Sequence, residues 1–180
     1  IVAGAWGADN NGNLSGAAYV VFGGDSGFTA TLSVDELDGD NGFRLDGATA
    51  QDFAGYLVSA AGDLNGDGID DLLVGAYQAG YSAANSGSPY VVFGRQDDFP
   101  AVLNLADLDG SNGFRLDGVA SNDGSGEAAG GVGDVNGDGI DDLLIGAWKA
   151  AVNGSTSGSV YVVYGSQDAF PAVFDLADLD

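Results

Sequence analysis

Asp63, Asn65, Asp67 and Asp71 fall within GDLNGDGIDDLLVGA, residues 62–76, and Asp134, Asn136, Asp138 and Asp142 fall identically within GDVNGDGIDDLLIGA, residues 133–147. Oxygen donors at alternate positions of a tight loop turn toward one centre, and a hard cation such as Ca²⁺ takes about 6–8 oxygens at roughly 2.3–2.6 Å. With Asp63 as position 1, side-chain oxygens occupy positions 1, 3, 5 and 9, the Ile69 carbonyl occupies 7, and Gly68 at 6 permits the bend. In the second copy the carbonyl is that of Ile140 and the glycine is Gly139. Converging carboxylates repel one another, so the ion is expected to be what closes the loop. A solvated Asp/Asn/Gly turn is the plain alternative. It does not explain why the copies keep every oxygen and differ only at Leu64/Val135 and Val74/Ile145. An EF-hand begins the same way but needs a bidentate Glu at position 12, where this chain has Val74 and Ile145. Asp70 and Asp141 are expected to face solvent or cap a turn.

The elements that must carry these loops repeat with them. Seventy-one residues separate Asp63 from Asp134, and the same interval relates Tyr19, Tyr90 and Tyr161 in YVVFG, YVVFG and YVVYG. NGFRLDG at Asn41 returns at Asn112, and IVAGA at Ile1 corresponds to LLVGA at Leu72 and LLIGA at Leu143. The 180 residues thus hold about 2.5 repeats with no insertion. Each repeat reads as four short strands: A, rich in small residues (53–62); B, DLLVGA from Asp71; C, PYVVFG from Pro89; and D, GFRLDG from Gly42 and Gly113. B and C are continuous apolar runs, which predicts a sheet covered on both faces. LADLDG before strand D predicts one helical turn. No segment sustains a 3.6-residue period, so the fold class is all-β, and four-stranded antiparallel β-propeller blades fit best. The boundaries follow: 1–47, a partial blade with strands B–D; 48–118, a complete blade with its loop; 119–180, a partial blade with strands A–C. Exposed edges at both ends predict association with other repeats or other chains.

Composition narrows the partners. The 27 acidic residues against four basic ones give a net charge of −23, which repels nucleic acid and anionic membrane surfaces. Only Glu36 and Glu127 are glutamates, and Asp suits turns and short-range ligation better. A hydrophobic content of 45% argues against disorder. No apolar run approaches the roughly 20 residues of a membrane span. Cys is absent, so neither disulfides nor thiolate sites staple the fold. The chain opens at Ile1 without Met or a signal peptide, and a longer parent chain is expected.

Asp-x-Asn-x-Asp-Gly-x-x-Asp, an apolar GA strand and a later YVVFG together resemble the FG-GAP repeat of integrin α-subunit propellers, along the whole chain. The FG is Phe22-Gly23, Phe93-Gly94 and, altered, Tyr164-Gly165; the proline of GAP is replaced by Trp6, Tyr77 and Trp148. The long LADLDGxNGFRLDG insert looks more like the repeats of large bacterial surface and secreted proteins. The resemblance implies a seven-bladed ring, of which 2.5 repeats are a part, with calcium ligands on the residues named above.

The function expected is a calcium-stabilised extracellular or cell-surface module that binds protein or glycan ligands in adhesion, with calcium structural. The alternative is a structural repeat protein assembling into a surface layer, sheath or filament. An enzyme is disfavoured: His and Cys are absent and Lys149 is the one lysine. Glu127, which stands where the preceding repeat has Tyr56, gives no carboxylate pair for glycoside hydrolysis. Trp6, Tyr77 and Trp148 open the B–C connections and either pack between blades, the favoured reading, or offer an aromatic ligand surface. Arg44 and Arg115 are expected to pair with local Asp.

Overall fold

A computed structural model describes residues 1–24, 27 and 31–179; Asp180, the end of the last repeat, lies outside them. The chain is all-β, in three small sheets consistent with a propeller-like arrangement. The first contains β1 (Val2–Ala5), β2 (Ala17–Val21), β3 (Gly42–Asp46) and β7 (Val102–Asn104). The middle one contains β4 (Leu57–Gly62), β5 (Asp71–Gly75), β6 (Tyr90–Val92), β8 (Gly113–Asp117) and β12 (Val173–Asp175). The third holds β9 (Ala128–Gly133), β10 (Asp142–Ala147) and β11 (Ser159–Val163). Among the described residues no helix is long and apolar enough to cross a membrane.

Strands β4, β5, β6 and β8 pair antiparallel in succession, as the strand pattern predicts for a complete repeat. The sheets are nevertheless mixed, because β7 pairs parallel to β3 and β12 parallel to β8. Each of these short strands leaves one repeat and adds to the edge of the preceding sheet. VLN and VFD are too short to show a period, so neither segment stands out as a strand in the sequence. What looks like a long insert is therefore a strap between repeats. Phe99 and Phe170, just ahead of the straps, stack on Phe43 and Phe114 at 4.1 and 4.6 Å, nearly parallel. A single 3₁₀ turn follows each strap, Leu105–Asp107 and Leu176–Asp178, where the helical turn is expected.

The continuous apolar runs have the predicted consequence. Val74, Tyr90 and Val92 of the middle sheet pack toward Phe43 and Leu45 of the first. Leu73, Val91 and Phe114, pointing the other way, pack with Leu143 and Ile145 of the third. All are buried, and each fully buried aliphatic or aromatic side chain contributes about 1.5–3 kcal/mol. Small residues on strand A let the backbones approach: a Cβ on Gly131 would stand 2.5 Å from the Ala61 carbonyl oxygen.

Leu64, just after β4 in the β4–β5 connection, is fully buried in the second cluster, whereas its repeat counterpart Val135 is 56% exposed. Leu64→Ala should cost about 2–5 kcal/mol, and Val135→Ala less than about 0.5 kcal/mol. Paired thermal melts of the two variants check this, and equal losses would contradict the packing.

Candidate metal-binding hairpins

Both acidic loops lie in A–B hairpins, as predicted: β4–β5 and β9–β10 are antiparallel and flank them directly. Each hairpin opens on a bulge, at Gly62 with φ +78° and at Gly133 with φ +73°. A side chain at 62 would also run into the Asp141 carboxylate, so this glycine is required twice over.

Beyond the bulge the side chains curl the loop onto its own amides. The Asp63 carboxylate accepts the N–H groups of Asp67 at 3.0 Å and Gly68 at 2.8 Å. Asn65 Oδ1 accepts from the Asp67 N–H, and Asp67 Oδ1 from the Ile69 N–H, both at 2.9 Å. The second loop matches: Asp134 accepts from Gly137, Asp138 and Gly139, Asn136 from Asp138, and Asp138 from Ile140. These donors, Gly139 first, hold the Asp134 carboxyl below its ordinary range. Asx-type turns thus shape each hairpin, with backbone amides bonded to the carboxylates that the sequence assigns to a cation.

Asp71 and Asp142 stand apart from the other predicted ligands. Both are buried at the base of the hairpin. Asp71 accepts the Leu64 N–H on one oxygen and the Gly94 N–H on the other, each at 2.9 Å. Asp142 takes Val135 N–H at 2.8 Å and Gly165 N–H at 2.9 Å. The position-9 carboxylate therefore ties the loop to the glycine of the FG pair, a role that spacing within the loop does not reveal. Among the described residues no three His, Cys, Asp or Glu side chains are grouped to hold a metal ion. The physical reason lies in these bonds, which turn the carboxylates toward different amides.

Asp141 does more than cap its own turn. Its carboxylate accepts the Asp63 N–H at 3.1 Å, and its own N–H donates to the Asp63 carbonyl at 3.3 Å, joining consecutive hairpins. Asp70 is exposed, as expected. Arg44 and Arg115 pair with Asp46 and Asp117, Nε to Oδ1 at 2.6 Å in both cases, confirming the local pairing. At the other strand ends Trp6 stacks on Phe53 at 5.8 Å, and Phe53 and Tyr56 both contact Tyr77. These rings bridge the first two repeats, which agrees with packing, although Trp6 and Trp148 stay about half exposed. Lys149 Nζ sits 4.3 Å from the Trp148 ring centroid.

Burial pushes the Asp71 carboxyl up to about 6, against the pull of its two amide donors. A carboxyl whose folded pKa exceeds its unfolded one favours the fold when protonated, so that contribution is lost as pH rises from about 4 to about 6. In chelator, this chain should lose stability relative to Asp71→Asn across that window, by up to roughly 3 kcal/mol. Denaturant melts at both ends of the window test it; a constant difference between the two proteins would refute it.

Comparison with known proteins agrees with the geometry. The FG-GAP repeat matches residues 54–92 and 128–163, which span strands A to C of the second and third repeats. Integrin alpha pat-2 of Caenorhabditis briggsae is 39% identical over 99 residues, 53% of this chain, and that of Caenorhabditis elegans is 38% identical over 105 residues. Phosphatidylinositol-glycan-specific phospholipase D of Mus musculus is 38% identical over 117 residues, 63% of this chain. The chain spans 7% of the length of the two integrin relatives and 13% of the phospholipase. Two successive segments thus match the FG-GAP repeat, and about half of the chain is similar to integrin α chains.

Proposed function

We propose that the chain is a calcium-stabilised, extracellular or cell-surface segment of a β-propeller that serves adhesion by binding protein or glycan ligands. The observation that carries this reading is the recurrence of one oxygen spacing and one carboxylate-to-amide pattern in two hairpins, Gly68 to Asp63 and Gly139 to Asp134, in a chain of net charge −23. Residues 1–47, 48–118 and 119–180 are its partial, complete and partial blades. Asp63, Asn65, Asp67, the Ile69 carbonyl and Asp71 make one ligand set; Asp134, Asn136, Asp138, the Ile140 carbonyl and Asp142 make the other. The donors are all oxygens, which suits a hard cation. Carboxylate oxygens already bonded to amides retain lone-pair capacity for a cation. Calcium supplies charge neutralisation to such a loop. The affinity of extracellular modules, about 10⁻⁴–10⁻³ M, matches calcium levels outside cells.

The role is one of binding rather than catalysis. Homology to integrin α chains supports this, and the stretch shared with the phospholipase is a small part of that enzyme. A second reading is assembly into a layer or filament through the same edge pairing by which β7 and β12 join consecutive repeats. Sedimentation with and without calcium separates the two readings, since ordered polymers are expected only in the second.

Tenfold excess of calcium over Kd should stabilise by about 1.4 kcal/mol per ion, so two ions should raise the melting temperature by about 5–10 °C. Calorimetry should count two ions per chain and one for Asp67→Ala. An unchanged melting curve in chelator, or two ions in the variant, would overturn the assignment.

A further inference from the structure

The two acidic hairpins touch, and the contact runs through a residue that belongs to neither set of oxygens. Asp141 stands between Ile140, whose carbonyl is in the second set, and Asp142, the ninth-position carboxylate of that set. Its carboxylate accepts the Asp63 N–H at 3.1 Å, and its own N–H donates to the Asp63 carbonyl at 3.3 Å. Both backbone polar groups of Asp63, the first residue of the other set, are therefore held by the following repeat.

The residues on either side of Asp63 are held from the same direction. Gly62 lies at φ +78°, and the Asp141 carboxylate fills the place that a side chain there would need. Leu64 accepts the Ser166 N–H on its carbonyl at 2.9 Å and buries its side chain in the cluster shared with the third sheet. Three consecutive residues at the entrance of the first hairpin thus take their positions from the repeat that carries the second. The Asp63 carboxylate, by contrast, is directed by its own loop, onto the Asp67 and Gly68 amides. Backbone and side chain of this one residue answer to different hairpins.

We propose that Asp141 couples the two hairpins, so that a divalent cation held by the second raises the affinity of the first, and the reverse. The inference rests on the calcium reading above and concerns how its two sites communicate. Holding Ile140 and Asp142 around a cation fixes Asp141 between them, and with it the backbone from which the Asp63 carboxylate must reach. The first hairpin then has less freedom left to lose on binding, which is positive cooperativity. Linkage makes the effect reciprocal. Repulsion between two bound cations has the opposite sign, so the direction of the effect identifies its cause.

The test is a calcium titration of the full chain followed by NMR, with the Gly68 and Gly139 amides reporting the first and second hairpins. Asp138→Ala, in the second, should move the Gly68 midpoint to at least about fivefold higher calcium, and Asp67→Ala should move the Gly139 midpoint by the same factor. Asp141→Ala should leave two ions per chain, and in that background Asp138→Ala should no longer move the Gly68 midpoint. Asp141→Asn makes the same change of charge but keeps an oxygen for the Asp63 N–H, and should retain the coupling. A Gly68 midpoint unmoved or lowered by Asp138→Ala, or a coupling that survives Asp141→Ala, would overturn the proposal and leave the metal assignment intact. Amides that ignore calcium altogether would overturn both.

Discussion

A buried carboxylate at the foot of each hairpin, Asp71 or Asp142, receives one amide from the acidic loop and one from the glycine that ends strand C. Two pieces of chain that lie 23 residues apart are pinned by this single side chain in each repeat. The bond explains why the pattern contains both a ninth-position Asp and a later FG. At Gly94 a Cβ would run into the Asp70 carbonyl, so the amide reaches the carboxylate only because that residue has no side chain. Removing such a carboxylate strands two buried donors, each worth about 1–3 kcal/mol when unsatisfied. The hairpin, the strand order and the placement of the next sheet all rest on it.

From that pin the contacts spread between repeats. Asp141 reaches back to the amide of Asp63, Leu64 is driven into the cluster shared with the third sheet, and the straps β7 and β12 reach back to the preceding sheet's edge. Consecutive repeats are therefore joined at three levels: backbone hydrogen bonds, a buried apolar layer and a side-chain-to-amide bridge. This is the nearest-neighbour logic of repeat proteins, in which each unit buries its faces only against the next. The acidic side chains then have a structural role in the fold, because several of their carboxylates accept backbone amides and shape the turns.

Much of this was legible. The interval of 71, the strand segments, the hairpin location, the burial of both sheet faces and the Arg–Asp pairs all follow from spacing and apolar runs. The parallel straps were not legible, since three-residue strands carry no periodic signal and their partners lie in another repeat. Nor was the division among the loop aspartates. Sequence places Asp63, Asp67 and Asp71 in one set, whereas the fold buries the third at the base and leaves the Asp67 side chain toward the surface.

Local chemistry and repetition, both written in the chain, determined what each unit is: an all-β repeat with an oxygen-rich hairpin between strands A and B. Tertiary structure alone decided which of those oxygens face amides and which repeat-equivalent side chains are buried. Leu64 and Val135 are near-identical in sequence terms and opposite in burial. The reason is that burial is a property of neighbours. A repeat specifies its own strands through short-range preferences, but the surroundings of each side chain come from residues one period away.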